Sequence, residues 1–263
     1  MKAQRARVGV SALVSHPAAK LENVRDWTEG EVLGLDFETT GVDRFTDVPV
    51  SYALVSVVDG IALHSWSGLI DPGREIPLDA TAVHGITTER ARADGMPLDA
   101  AIALVTDAVV SAGRRGVPLV GMKLDYDLTI LDVLGSRYCG RGLVARGWCG
   151  PVLDAGVLDR HFDGDRHGRR TLGDLCANYE VELEGAHDAW ADAVASVRVL
   201  FALADRYGAL RGADVARLHE AQIEWHRQWT EDCEAWRLGQ GMPPTDPRDY
   251  VWPVAPVALR GAA

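Results

Sequence analysis

The chain has 263 residues, 47% of them hydrophobic and 25% charged, and this length allows one large domain or a domain with an appendage. It contains 27 Lys and Arg against 38 Asp and Glu, and the net charge of −11 argues against a protein that coats nucleic acid through a broad basic surface. The charge does not exclude an enzyme that acts on one strand end with bound metal ions, because such ions supply positive charge themselves.

We expect neither membrane insertion nor secretion. The apolar runs are too short to span a bilayer, and the weak apolar patch near the N-terminus is interrupted by polar residues. The four cysteines include no Cys-x-x-Cys pair, which predicts reduced thiols in a cytoplasmic protein without a membrane partner. Residues 1–28 are interpreted as a loosely ordered N-terminal arm.

The first predicted element is a strand that ends in acidic side chains, within EVLGLDFETTG at residues 31–41. Side chains at i and i+2 of a strand point to one face, so Asp36 and Glu38 lie side by side, roughly 7 Å apart at the backbone. Leu33, Leu35 and Phe37 then face the core. Two carboxylates this close repel one another unless one is protonated or a cation such as Mg²⁺ bridges them. The alternative is a strand that runs out into solvent, and further carboxylates are needed to decide.

The segments that follow predict an α/β fold, a mixed sheet with helices packed on it. Strand-type residues flank Asp59-Gly60, which predicts a hairpin. Residues 98–113 have helical periodicity, and a buried strand at residues 117–124 leads into a helix from about Tyr126. A strong helical pattern then covers residues 187–208, with small and apolar side chains on one stripe.

The composition changes after residue 208. One long helical pattern at residues 211–241 places Trp225, Trp229 and Trp236 on one stripe. Such a stripe usually packs on a core, and the alternative is a helix that binds a polymerase or a second copy of the chain. The proline-rich segment after it is predicted to wrap around the domain or dangle. We therefore expect a main domain at residues 29–208, with a C-terminal helix and tail at residues 209–263.

Three more residues are candidates for the same acidic site. Asp127 follows the buried strand at a strand-to-helix transition, where a lone Asp is more often a cap than a ligand. Asp192 lies about one turn into the helix at residues 187–208, for which Asp188 is the candidate N-cap. His187 precedes that helix on a loop and can lean over the same site. The ordinary alternatives are a helix-dipole complement for Asp192 and a surface residue for His187.

The order and context of these motifs resemble the DnaQ-like 3′–5′ exonucleases, in the histidine-containing branch of the DEDD superfamily. Members include the epsilon proofreading subunit of DNA polymerase III, RNase T and oligoribonuclease. Four segments carry the resemblance, namely LDFETTG at 35–41, AVHGIT at 82–87, YDLTIL at 126–131 and HDAWADAVA at 187–195. The resemblance covers about residues 31–208, and LEGAHDAWADA is particularly similar to actinobacterial members.

The resemblance implies an RNase H-like fold with a mixed five-stranded sheet flanked by helices. It also implies two Mg²⁺ or Mn²⁺ ions, whose ligands are Asp36, Glu38, Asp127 and Asp192. Physical chemistry agrees, since four carboxylates do not share one site without cations. His187 is implied as the general base. The implied reaction releases a nucleoside 5′-monophosphate from the single-stranded 3′ end of DNA or RNA, with DNA favoured.

Substrate contacts are implied for residues of the first motif and around AVHGIT, namely Phe37, Thr39, Thr40, Asp79, His84 and Ile86. For Ile86, plain core packing is at least as good an interpretation. Met122-Lys123 stands where family members often carry His-Asn, so a substrate contact from that Asn is not expected. Two alternatives stay open: an exoribonuclease or oligoribonuclease, and a catalytically inactive nucleic-acid-binding or polymerase-associated scaffold.

Overall fold

A mixed β-sheet lies at the centre of the computed structural model, which describes residues 26–257. Its six strands are β1 (Glu31–Thr39), β2 (Pro49–Val58), β3 (Ile61–Asp71), β4 (Met96–Pro97), β5 (Leu119–Gly121) and β6 (Val152–Asp154). They lie in the order β4-β3-β2-β1-β5-β6. β1 pairs antiparallel with β2 and parallel with β5. The predicted hairpin is β2-β3, with its turn at Asp59-Gly60.

The predicted RNase H-like mixed sheet is confirmed, but its strand count is corrected, since this part of the chain contains six strands and not five. The additional strand β4 has two residues and pairs in parallel with Ile70 and Asp71 of β3. A strand this short has no alternation that sequence periodicity could detect. Its Pro97 is tolerated because β4 lies at the edge of the sheet.

Helices cover both faces of the sheet. Those in the described residues are α1 (Leu78–His84), α2 (Thr88–Asp94), α3 (Leu98–Arg114), α4 (Leu124–Tyr138), α5 (Ala155–Phe162), α6 (Leu172–Asn178), α7 (Ala189–Arg206), α8 (Gly208–Arg211) and α9 (Val215–Gly239). The predicted helices correspond to α3, α4, α7 and α9. None of the helices between residues 26 and 257 has the combined length and apolarity needed to cross a bilayer.

Strand β1 separates two hydrophobic cores. Leu33, Leu35 and Phe37 pack on the side of α3 and α4, as the alternation predicts. Val32 lies in the other core, on the side of α7. Because the strand is apolar on both faces over its first residues, it is fixed in register before it reaches its acidic end.

Gly34 allows α7 to cross β1 closely. A Cβ atom at this position would lie 3.0 Å from Cγ2 of Val197 and 3.3 Å from the carbonyl oxygen of Ala193. Asp36 and Glu38 follow Gly34 on the same face of the strand. The close crossing therefore brings the N-terminal turn of α7 towards these two acids.

The predicted N-terminal arm falls mostly on residues 1–25, outside the described residues. Residues 26–28 pack on the domain. Trp27 is buried, and its Nε1 donates a hydrogen bond to the Leu210 carbonyl oxygen at 2.9 Å. Asp26 forms an ion pair with Arg211 at 3.2 Å.

Helix α9 covers the outer edge of β6. The backbone N–H of Asp154 donates to Oε1 of Gln222, and Nε2 of Gln222 donates to the Val152 carbonyl oxygen, both at 2.8 Å. Gln222 is fully buried. One side chain thus satisfies a donor and an acceptor that the sheet edge leaves unpaired. The predicted C-terminal helix therefore packs on the sheet, and the boundary at residue 208 stays a prediction.

The segment after α9 wraps around the domain, one of the two outcomes predicted for it. Trp252 is buried in the core of α3 and α4, and the backbone N–H of Ala255 donates to Oγ1 of Thr129 at 3.0 Å. In the tryptophan stripe only Trp225 packs on the core, stacked at 3.6 Å on His161. Trp229 and Trp236 remain 39% and 61% exposed, so core packing does not hold for the whole stripe.

Replacing Gln222 should destabilise the fold. Gln222→Ala leaves two buried backbone groups without partners, and each costs about 1–3 kcal/mol. We therefore expect the free energy of unfolding, measured by chemical denaturation, to fall by about 2–6 kcal/mol. Gln228→Ala is the matched control, because Gln228 is exposed on the same helix and should change stability by less than about 0.5 kcal/mol. Equal stability of the two variants would contradict the edge-capping role.

Candidate active site

Two acidic side chains project from the end of β1 towards α7. Asp36 is partly buried, and Glu38 is buried at 9% exposure. The pairing of β1 with β2 shifts register between Glu38 and Thr39, so the regular ladder ends directly after the second acid. The two acids therefore occupy the last regular positions of the strand, where backbone pairing still fixes their direction.

Asp127 joins them from the first turn of α4. Its Oδ1 accepts a hydrogen bond at 3.1 Å from the backbone N–H of Phe37, the residue between the two acids. The turn from β5 into α4 passes through Lys123, which has a positive φ of 61°. Asp154 at the end of β6 accepts from the N–H of Leu124 at 2.8 Å and so fixes the first residue of α4.

Helix α7 provides the fourth acid and the histidine. Asp188 is the N-cap, as predicted, and accepts from the backbone N–H groups of Trp190 and Ala191. Oδ2 of Asp192 accepts from the N–H of His187 at 3.3 Å, and His187 has a φ of 66°, outside the helix. This non-helical backbone lets His187 approach Asp192, which two helical positions five apart could not do.

Glu38, His187 and Asp192 each offer a ligand atom within 4.8 Å of the other two. Oδ1 of Asp192 is buried and has no hydrogen-bond partner among the described residues. A buried carboxylate oxygen without a donor is unfavourable, and a hard cation such as Mg²⁺ satisfies it. The donor set thus fits a divalent metal site.

Electrostatics link all four acids into one cluster. Burial raises the pKa of Glu38 to about 7, with added repulsion from Asp192 and Asp188. Burial also raises the pKa of Asp36 well above its usual range, and the charges of Asp127, Asp192 and Glu38 raise it further. The carboxyl pKa values of Asp127 and Asp192 are raised as well, again mainly by burial. Without cations, this cluster holds protons more tightly than ordinary carboxylates do.

Two of the predicted substrate-contacting residues lie beside the cluster. His84 ends α1, near the backbone of Thr39 and the side chain of His187, and burial lowers the pKa of its imidazole. Its Nδ1 accepts from the N–H of Ile86 at 3.1 Å, while Nε2 is buried without a partner among residues 26–257. Oγ1 of Thr39 donates to the Gly41 carbonyl oxygen at 2.7 Å.

The other four predicted contacts are placed differently. Phe37 and Ile86 are buried in hydrophobic clusters, which for Ile86 matches the core-packing alternative. Thr40 is 3% exposed, and its hydroxyl donates to Asp47 at 2.8 Å, so that hydroxyl is already engaged within the protein. Asp79 is exposed in the first turn of α1.

Tyr126 also lies in the site region, although it is not among the residues that the sequence predicts for the site. Its hydroxyl lies 3.0 Å from Oγ1 of Thr39 and donates to the Gly41 carbonyl oxygen. Tyr126 therefore ties α4 to the loop after β1. The only sequence signal was its position directly before Asp127 in YDLTIL.

No family model matches the chain. A DNA polymerase III subunit epsilon-like protein from Rhodobacter capsulatus is 30% identical over 208 residues, covering 75% of this chain and 26% of the relative. A PolC-type DNA polymerase III from Lacticaseibacillus paracasei is 28% identical over 188 residues, covering 71% of this chain and 12% of the relative. The chain thus spans only about an eighth to a quarter of the length of these relatives.

The fold is similar to that of E. coli exonuclease I in complex with a dA16 oligonucleotide, with a TM-score of 0.59. The sequence identity is 20%, and the match covers 75% of this chain and 43% of exonuclease I. The similarity to actinobacterial members stays a prediction. Together, the relatives and the fold confirm the resemblance of this chain to the DnaQ-like 3′–5′ exonucleases of the DEDD superfamily.

Proposed function

We propose that the protein is a metal-dependent 3′–5′ exonuclease that removes nucleoside 5′-monophosphates from the single-stranded 3′ end of DNA. The observation that carries this proposal is the convergence of the acidic residues from β1, α4 and α7, namely Asp36, Glu38, Asp127 and Asp192. The unsatisfied Oδ1 of Asp192 supports a cation at this cluster. An inactive scaffold would have no need for a buried group of mutually repelling carboxylates.

DNA is the favoured substrate because of the relatives. Two of them are named as DNA polymerase III proteins, and the exonuclease I structure holds a DNA oligonucleotide. These similarities also support an association with a polymerase as part of the proposal. Activity on RNA ends with none on DNA ends would replace this proposal by the exoribonuclease alternative.

The four carboxylates would hold two Mg²⁺ or Mn²⁺ ions, which would neutralise the charge on the scissile phosphodiester and activate a water molecule. His187 acts as the general base in this proposal, since its ring lies beside Glu38 and Asp192. The hydrogen bond from its N–H to Asp192 fixes the loop that carries it. His84 has a buried, unpartnered Nε2 beside Thr39, and we propose that it contacts the terminal nucleotide.

Removal of the metal ions should abolish exonuclease activity, and removal of one ligand should strongly reduce it. A chelator should stop release of 5′-mononucleotides from labelled single-stranded DNA, and Asp192→Asn should lower turnover by about 10²–10³-fold, because it loses several kcal/mol of charge stabilisation. Asp205→Asn, at an exposed acid of the same helix, is the matched control and should keep full activity. Hydrolysis that persists in chelator would contradict the metal mechanism.

The metal-free protein should lose stability as the pH rises. The Glu38 carboxyl has a pKa of about 7 in the fold against an ordinary 4.5, so its ionisation disfavours the folded state progressively between these values. We expect the Tm in chelator to fall from about pH 4.5 to pH 7 and to fall less steeply in Glu38→Gln. Saturating Mg²⁺ should raise the Tm most at the upper end of this range. If the Tm of the two proteins in chelator changed with pH in the same way, the raised pKa of Glu38 would be contradicted.

Loss of His187 should reduce turnover and leave metal binding intact. General-base catalysis contributes about 10²–10⁴-fold, so His187→Ala should lose roughly that factor in single-turnover hydrolysis. Mn²⁺ affinity, measured by titration calorimetry, should stay at the wild-type value. His167→Ala, at an exposed histidine, is the control. A parallel loss of Mn²⁺ affinity would instead identify His187 as a metal ligand, a role that its position also allows.

A further inference from the structure

A cleft of about 530 Å³ lies between α9, the segment after it and the carboxyl ends of β1, β5 and β6. Lys123 follows β5 and lines the cleft floor with Asp154, the last residue of β6. Arg160 of α5 lines it as well, together with residues of α9 that include Trp229, Trp236 and Arg237. We call this the α9 cleft.

The α9 cleft adjoins the carboxylate cluster. Asp125 lines the cleft and Asp127 belongs to the cluster, and both lie in the first turn of α4. The charges of Asp125 and Asp154 contribute to the raised pKa of Asp127, so the two sites are within electrostatic reach of one another. A strand whose 3′ end occupied the cluster could therefore continue into the cleft across the start of α4.

The acidic side chains that line the cleft are all engaged within the protein. Asp125 and Asp249 form ion pairs with Arg44 at 2.6 and 2.5 Å. Asp246 pairs with Arg248 at 2.5 Å. Asp154 accepts hydrogen bonds from the backbone N–H groups of Leu124, Gly156 and Val157. Each of these acids thus has a partner within the protein, which lowers its repulsion of an anionic ligand.

Three cations of the cleft are not held in ion pairs. Lys123, Arg160 and Arg237 form no salt bridge with any residue in the described range 26–257. Nε of Arg237 and Oγ1 of Thr245 are buried and have no hydrogen-bond partner there. The charged side chains that line the cleft are four cations and four acids, so the lining is formally neutral within a chain of net charge −11. Three cations without a salt bridge and two unused donors on such a lining fit a phosphate backbone.

Two tryptophans add a surface on which bases can stack. Trp229 and Trp236 lie seven positions apart, on one face of α9, and are 39% and 61% exposed. The guanidinium of Arg160 lies 3.9 Å from the ring centroid of Trp229, which joins the cationic and aromatic parts of the cleft. Aromatic rings within a cationic groove are the common device for binding single strands without sequence preference.

We propose that the α9 cleft binds the single-stranded DNA that leads into the active site. Bases stack on Trp229 and Trp236, while Lys123, Arg160 and Arg237 pair with the phosphates. This inference rests on the proposed exonuclease function, because it places the cleft upstream of the scissile phosphodiester. It assigns the exposed part of the tryptophan stripe to nucleic acid and not to a protein partner.

The test is oligonucleotide binding by Trp236→Ala. Affinities are measured by fluorescence anisotropy with labelled oligo(dT) of about 12 nucleotides and with a dinucleotide. Ca²⁺ in place of Mg²⁺ and an Asp192→Asn background together suppress hydrolysis during the measurement. Trp236→Ala should lower the affinity for the longer oligonucleotide by roughly 5- to 100-fold, because one stacked base contributes that factor. The affinity for the dinucleotide should not change. Trp66→Ala is the matched control, at a tryptophan that is 51% exposed on β3, away from the cleft.

Lys123→Gln tests the electrostatic part independently of the aromatic part. The slope of log affinity against log salt should decrease by about 0.7, as expected when one phosphate contact of a single strand is lost. Unchanged binding and slope in both variants would overturn the proposal, as would Trp236-dependent self-association in sedimentation with unchanged DNA affinity. Failure of the wild-type protein to hydrolyse any oligonucleotide would refute the proposed function alone, because cleft binding is measured without hydrolysis.

Discussion

Helix α7 packs closely on strand β1 at Gly34, which has no side chain, and this contact shapes the geometry of the acidic site. The face of β1 that contains Gly34 continues into Asp36 and Glu38, while the first turn of α7 provides Asp192. A side chain at position 34 would press against the carbonyl oxygen of Ala193, which belongs to the helix backbone and cannot rotate away. A backbone contact in the core therefore fixes how far the acids of the strand lie from the acid of the helix.

The acidic cluster opposes folding, and the rest of the molecule has to hold it together. Burial and mutual repulsion both favour protonated carboxyls, as the raised pKa of Glu38 and of Asp36 indicates. Each acid is held by an element anchored elsewhere, since β1 packs on two hydrophobic cores and α7 is capped by Asp188. Asp127 has an additional hydrogen bond from the N–H of Phe37. A group of mutually repelling buried carboxylates within an otherwise well-packed fold is typical of a functional site.

The sequence predicted the parts of the site that depend on one element at a time. Strand alternation placed Asp36 and Glu38 on one face, and capping chemistry located the start of α7. Contacts between elements that are far apart in the sequence produce no periodic pattern from which they could be predicted. The hydroxyl of Tyr126 bonds to a loop 85 residues earlier in the chain, and Gln222 caps a strand edge 68–70 residues away. The helical periodicity likewise placed the three tryptophans on one stripe. It did not indicate which of them would pack on the core.

The C-terminal segment belongs to the electrostatic environment of the acidic site. Arg44 follows β1, and its side chain is 10% exposed, so its charge requires partners inside the protein. One partner is Asp125 in the first turn of α4, and the other is Asp249, whose carbonyl oxygen accepts a hydrogen bond from His226 of α9. Asp125 lies two residues before Asp127, and its negative charge contributes to the raised pKa of Asp127. The ion pair between Arg44 and Asp125 therefore lies within electrostatic reach of the carboxylate cluster. One buried cation thus pairs with an acid of the extension and with an acid beside the cluster, a contact that a boundary drawn by composition at residue 208 cannot reveal.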